Sequence, residues 1–104
     1  MYTLIETPTF VAESDKLWAE DERLEFFTWL AVNPEAGAVI PGSGGCRKVR
    51  WSRRGIGRRG GVRVIYFLEL SEGEIWLLLI YAKSVKDNIP GYLLRTIREE
   101  LEND

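Results

Sequence analysis

The longest apolar stretch of this chain, Ile75 to Ala82, does most to narrow its fold. It is far too short to span a bilayer, so its place is inside a folded domain. Glu74 and Lys83 bound it, and Ser71-Glu72-Gly73 precedes it as a hairpin turn. The segment Glu74 to Lys83 therefore reads as a β-strand with almost no polar position. Such a strand has to be covered on both faces, which puts it in the middle of a sheet. Val62 to Leu70, rich in Val, Ile, Tyr and Phe, is the strand on the other side of the turn.

Cys46 to Trp51 alternates, with Cys46, Lys48 and Arg50 on one face and Arg47, Val49 and Trp51 on the other. Tyr2 to Glu6 reads as a short first strand. Thr7-Pro8 has the form of an N-cap followed by a first-turn proline, and Phe10, Ser14, Leu17 and Trp18 follow at helical spacing. A second helix begins near Asp21. Leu24, Phe27 and Leu30 form its apolar stripe, widened by Phe26 and Trp29, and it ends at Asn33-Pro34. Residues 33–45 and 52–61, rich in glycine and proline or glycine and arginine, read as loops. A last helix starts around Pro90 and buries Leu93, Leu94, Ile97 and Leu101. The order strand-helix-helix-strand-strand-strand-helix predicts an α+β fold, with a small antiparallel sheet that the helices cover on one side. At 104 residues the chain has room for one domain, expected over residues 1–104.

Charge is segregated along the chain. Residues 1–35 sum to −6, residues 36–68 to +8 and residues 69–104 to −4. No acid lies between Ala36 and Leu68, whereas Arg47, Lys48, Arg50, Arg53, Arg54, Arg58, Arg59 and Arg63 all do. A cationic segment in a chain of net charge −2 is the electrostatic footprint of contact with phosphates. Histidine is absent and Cys46 is the single cysteine. That removes the usual metal ligands and excludes Ser-His and Cys-His nucleophiles, so neither metal nor cofactor is expected. Proton chemistry would run on Lys, Arg, Tyr, carboxylates or water. A lone cysteine fits a reducing cytoplasm, and the N-terminus lacks the pattern of a signal peptide. A cytoplasmic location without a membrane partner is the expectation. The stretch GRRGG lacks the Gly-Lys-Ser/Thr ending of a nucleotide phosphate loop.

The segments PGSGGCRKVRW, GRRGGVRVIYF and LLIYAKS, in this order and after an NPEAG turn, resemble the RelE/ParE superfamily of toxins from type II toxin–antitoxin pairs. Within it the HigB-type, phage-protein-like branch is the nearest in pattern, over nearly the whole chain. The resemblance implies a RelE-like toxin fold and a ribosome-dependent mRNA interferase. Such an enzyme is a metal-independent endoribonuclease that cuts mRNA in the ribosomal A site. A cognate helix-turn-helix antitoxin would neutralise it. Members of this family use lysines, arginines and often a tyrosine in place of a histidine pair.

RNA cleavage of this kind needs a base for the 2′-hydroxyl proton, cations for the charge building on the phosphoryl oxygens, and an acid for the leaving 5′-oxygen. Arginine suits the second task because its fork matches phosphate and it stays charged. Lysine can serve as base only when burial or neighbouring cations depress its pKa. Lys48 and Arg50 match the paired basic positions of the family, and Arg63 matches its phosphate-contacting arginine. Tyr81 and Lys83 share a face at the end of the last strand. These five are the candidate catalytic residues. For Lys48 and Arg50 the alternative is a solvated strand face, and for Tyr81 a half-buried aromatic at a sheet edge. Arg47, Arg53, Arg54, Arg58, Arg59 and Lys86 are the candidates for holding RNA backbone or ribosome, with a solvated loop as the alternative for most of them. Tyr92 fits either the C-terminal tyrosine of such toxins or helix packing. Trp18, Trp29, Trp76 and Cys46 read as core, and Trp51 as core or as a base-stacking platform. Two other functions stay open. One is a ParE-like toxin that acts on DNA gyrase without cutting RNA. The other is an inactive nucleic-acid-binding relative.

Overall fold

The computed structural model describes residues 2–52, 61–82 and 89–102. Its elements are β1 (Thr3–Glu6), α1 (Pro8–Leu17), α2 (Glu20–Val32), β2 (Ala38–Val39), β3 (Arg47–Trp51), β4 (Val62–Glu69), β5 (Glu74–Ala82) and α3 (Gly91–Glu102). Among the described residues no helix is long and apolar enough to cross a membrane.

Thr7 shows how the sequence starts α1. Its hydroxyl accepts from Phe10 N at 3.2 Å, capping the helix, and donates to Leu77 O at 2.9 Å. One side chain thus ties the end of β1 and the start of α1 to β5. Thr7→Ala is expected to cost about 1–2 kcal/mol in urea denaturation, and Thr7→Ser only a fraction of that. In α2, Glu20, Asp21 and Glu22 lie in the first turn, where the helix dipole favours acids, and Asn33 caps the end ahead of Pro34.

The sheet has five strands in the order β1-β5-β4-β3-β2. The pairs β2·β3, β3·β4 and β4·β5 are antiparallel, while β1 runs parallel to β5. The sheet is therefore mixed, which corrects the antiparallel expectation. β5, apolar from Ile75 to Ile80, leaves neither edge open: β4 takes one and β1 the other. The β4–β5 turn closes through Gly73 at φ 66°, a backbone conformation that favours glycine.

Helices cover both faces of the sheet, not one. On the first face Phe10, Phe26 and Leu30 of α1 and α2 pack on Val49, Val64, Tyr66, Ile75, Leu77 and Ile80. On the second, Leu94, Ile97 and Leu101 of α3 pack with Cys46, Ile65, Phe67 and Leu78. A central strand without polar positions requires this, because a single helical layer would leave half of its side chains in water. Two stripe residues are also corrected. Leu24 is 51% exposed, since it lies two residues from Phe26 and so on the opposite side of α2. Leu93 is 45% exposed, on the rim of a stripe set by Leu94, Ile97 and Leu101.

The expected loop at 33–45 contains β2, whose two residues pair with Lys48 and Arg47. Ser43, fully buried, shapes the remainder: its hydroxyl donates to Ile40 O at 2.6 Å and accepts from Cys46 N at 2.9 Å. Cys46 is fully buried, and burial pushes its thiol pKa up. The folded protein is therefore expected to resist iodoacetamide at pH 8, with alkylation appearing only as denaturant unfolds it.

Candidate functional site

Three strands bring the candidate residues together through their register. Arg50 on β3 stands opposite Arg63 on β4, and Arg63 stands opposite Tyr81 on β5. Lys48 lies one step further in, opposite Ile65, two residues from Arg50 and hence roughly 7 Å along β3. All four side chains leave the sheet on the face that carries α3. Helix α3 covers the part of that face around Cys46 and Phe67. The Arg50–Arg63–Tyr81 row lies at the strand ends marked by Trp51, Val62 and Ala82. Arg50 is exposed, and Lys48, Arg63 and Tyr81 are half-buried.

Tyr81 reaches this row because β5 contains a bulge. Tyr66 pairs with Leu77 but Ile65 pairs with Leu79, so Leu78 is an extra residue in the strand. Up to that point Ile75 and Leu77 face α1 and α2, and Trp76 and Leu78 face α3. Beyond it Leu79 and Tyr81 face α3, and Ile80 faces the helical hairpin. Uninterrupted alternation from Trp76 would have sent Tyr81 into the opposite core. Bulges that re-aim a side chain in this way are common beside functional sites.

Among the described residues the row is cationic and short of counter-charge. Arg23 pairs with Glu6 at 3.0 Å and Glu20 at 2.9 Å, and Arg98 pairs with Glu102 at 3.3 Å. Among the described residues no carboxylate lies within ion-pair distance of Arg50 or Arg63. Like charges placed directly opposite each other in a sheet repel. An anion lying across both guanidiniums relieves that repulsion and meets two planar donor forks.

The platform beneath the row is stiff. On the far side of the sheet Trp51 packs its ring 5.2 Å from Phe26 and 5.2 Å from Trp29, and Trp18 sits 5.4 Å from Phe26. Trp51 is thus a core residue and faces away from the cations. Trp18, Trp29 and Trp76 are half-buried against the two cores, and Cys46 lies within one. Tyr92 is 62% exposed on α3, so helix packing does not account for it.

Arg47, grouped by sequence with the RNA-holding cations, is on the face opposite Lys48 and Arg50. Its guanidinium donates to Gly37 O at 2.8 Å and Glu35 O at 3.2 Å. Tyr66, which sequence reasoning did not single out, reaches the same turn: its hydroxyl accepts from Gly37 N at 2.9 Å and donates to Pro34 O at 2.8 Å. The only sequence signal for this pair is a hydroxyl and a charge in apolar strand positions. Lys83, Lys86, Arg53, Arg54, Arg58 and Arg59 lie outside the described residues.

At the other end of the same face the charge is reversed. Glu69 stands opposite Glu74 across the β4–β5 hairpin. With Glu102, Phe67, Trp76 and Leu101 they line a groove of about 260 Å³. Phe67 and Trp76 stack there at 6.0 Å, and the Arg98 guanidinium lies 4.6 Å from the centre of the Phe67 ring. The α3 face is therefore cationic at the β3–β4 end and acidic at the β4–β5 hairpin. Such a polarity would orient a polyanion that approached this face.

No protein-family model matches the sequence. Among solved structures, the E. coli toxin RelE, as a double arginine-to-alanine mutant in the free state, aligns with a TM-score of 0.64. The alignment covers 93% of this chain and 96% of that one. The fold is RelE-like. Identity to RelE is 17%, so the likeness is one of fold alone.

Proposed function

We propose that this protein is the toxin of a type II toxin–antitoxin pair, of HigB type, and acts as a ribosome-dependent, metal-independent endoribonuclease on mRNA. The observation that carries the reading is the Arg50–Arg63 pair, set directly opposite each other with no carboxylate partner among the described residues. The RelE-like fold supports it.

In this reading the scissile phosphate lies across Arg50 and Arg63. Their guanidiniums neutralise the charge that grows on the non-bridging oxygens as the 2′-hydroxyl gives up its proton to a base and its oxygen bonds to phosphorus, closing a 2′,3′-cyclic phosphate. The P–O5′ bond then breaks, and a proton passes to the 5′-oxygen. Lys48 and Tyr81, flanking the two arginines, are the groups placed to move protons or to orient the substrate. Lys83 is the further candidate of that set. Arg53, Arg54, Arg58, Arg59 and Lys86 are proposed to hold ribosomal or messenger RNA backbone, with binding that weakens as salt rises. The ribosome and a helix-turn-helix antitoxin are the proposed partners, and the cytoplasm is the proposed location.

Controlled expression in a bacterial host tests the reading. Growth should stop and protein synthesis should collapse before DNA supercoiling changes. Loss of supercoiling first would identify a gyrase poison. Normal growth would identify an inactive relative.

A further inference from the structure

Arg47 and Tyr66 are cross-strand partners, Arg47 on β3 and Tyr66 on β4. Both side chains leave the sheet on the α1/α2 face, and both grip the same short piece of backbone. Arg47 donates to Glu35 O and Gly37 O, and Tyr66 bonds to Pro34 O and Gly37 N. Four backbone atoms of residues 34–37 are thereby held by two neighbouring side chains. The seat is tight: a Cβ on Gly37 would stand 3.0 Å from Lys48 O and 3.0 Å from the Tyr66 ring and hydroxyl. Strand β2 follows at once and pairs Ala38 with Lys48 and Val39 with Arg47. β2 covers the outer edge of β3 at Arg47 and Lys48; without it the strand would be paired on β4 alone there too.

We infer that Arg47 is a positioning residue. With Tyr66 it fixes the 34–37 turn, the turn fixes β2, and β2 holds the Arg47–Lys48 start of β3, two residues ahead of Arg50, in register. Arg47 does not touch RNA. Its consequence for cleavage rests on the function proposed above; the clamp itself does not.

Arg47→Met, which keeps the aliphatic stem, and Tyr66→Phe test the clamp beside Arg50→Gln, with two readouts on the full chain. Amide hydrogen exchange at Gly37, Ala38 and Val39 should speed up at least tenfold in Arg47→Met and in Tyr66→Phe, and stay as in wild type in Arg50→Gln. The dependence of affinity on salt for a single-stranded RNA should stay as in wild type in Arg47→Met. In Arg50→Gln the slope of log affinity against log salt should shrink by about 0.7, the value of one lost phosphate contact. Unchanged exchange in Arg47→Met, or a shallower slope in that variant, overturns the inference. A wild-type chain that binds no free single-stranded RNA leaves the ribosome-dependent reading standing, and exchange still decides the clamp. Arg47→Lys, which keeps a donor, should restore part of the protection.

Discussion

Arg63→Gln should abolish toxicity and lower mRNA cleavage by roughly 10²–10³-fold, the usual cost of removing one preorganised donor to a developing oxyanion. It should do so without weakening the fold. Arg63 faces Arg50 across β3 and β4, so neutralising one of them removes a like-charge contact. The melting temperature is expected to stay level or to rise slightly. Arg50→Gln should behave alike in stability. Added sulfate or phosphate should raise the melting temperature of the wild type more than that of either variant, because a bound anion stabilises the state that holds it. A residue kept for structure would show the reverse, with lost stability and activity falling only in step. Arg63→Lys keeps the charge but loses the planar fork, so it should keep only part of the activity.

Phe26→Ala should destabilise the protein by about 3–5 kcal/mol, a large part of what holds a domain of this size together. Phe26 is fully buried and its ring neighbours those of Trp18, Phe27, Trp29 and Trp51. Its loss opens a cavity under the β3 end that carries Arg50. Activity should therefore fall together with stability and be regained as the temperature is lowered. Leu24→Ala, in the same helix but 51% exposed, should change stability by no more than about 0.5 kcal/mol. Chemical denaturation of the two variants side by side checks the contrast. Equal costs would mean that α2 packs on a different face.

The contrast between Phe26 and Leu24 shows where the sequence was legible. The existence and order of the long elements followed from local signals: the Thr7-Pro8 start, the Asn33-Pro34 stop and the Ser71-Glu72-Gly73 turn. The central place of β5 followed from its lack of polar positions. The phase of α2 did not, because Leu24, Phe26, Phe27, Trp29 and Leu30 supply apolar residues around most of the helix. The bulge in β5 was invisible for a related reason. In a strand apolar throughout, nothing marks where alternation slips by one. β1 beside β5 is a long-range pairing that no local pattern encodes, and β2, only two residues long, is too short to show alternation. For the site, alternation placed Lys48 and Arg50 on one face and Arg47 on the other. Only the register showed that Arg50, Arg63 and Tyr81 stand in a row. The use of Arg47 as a backbone clamp depends on the 34–37 turn folding back onto β3, which residue type alone could not signal.

The most direct measurement is to add the purified protein to a translating extract and map 5′ ends on a defined mRNA, with naked mRNA alongside and Arg63→Gln as control. Cuts are expected at A-site codons only while ribosomes translate, weakened by roughly a hundredfold or more with Arg63→Gln. Cuts that persist at full strength with Arg63→Gln, or an mRNA left intact by the wild type, would contradict it.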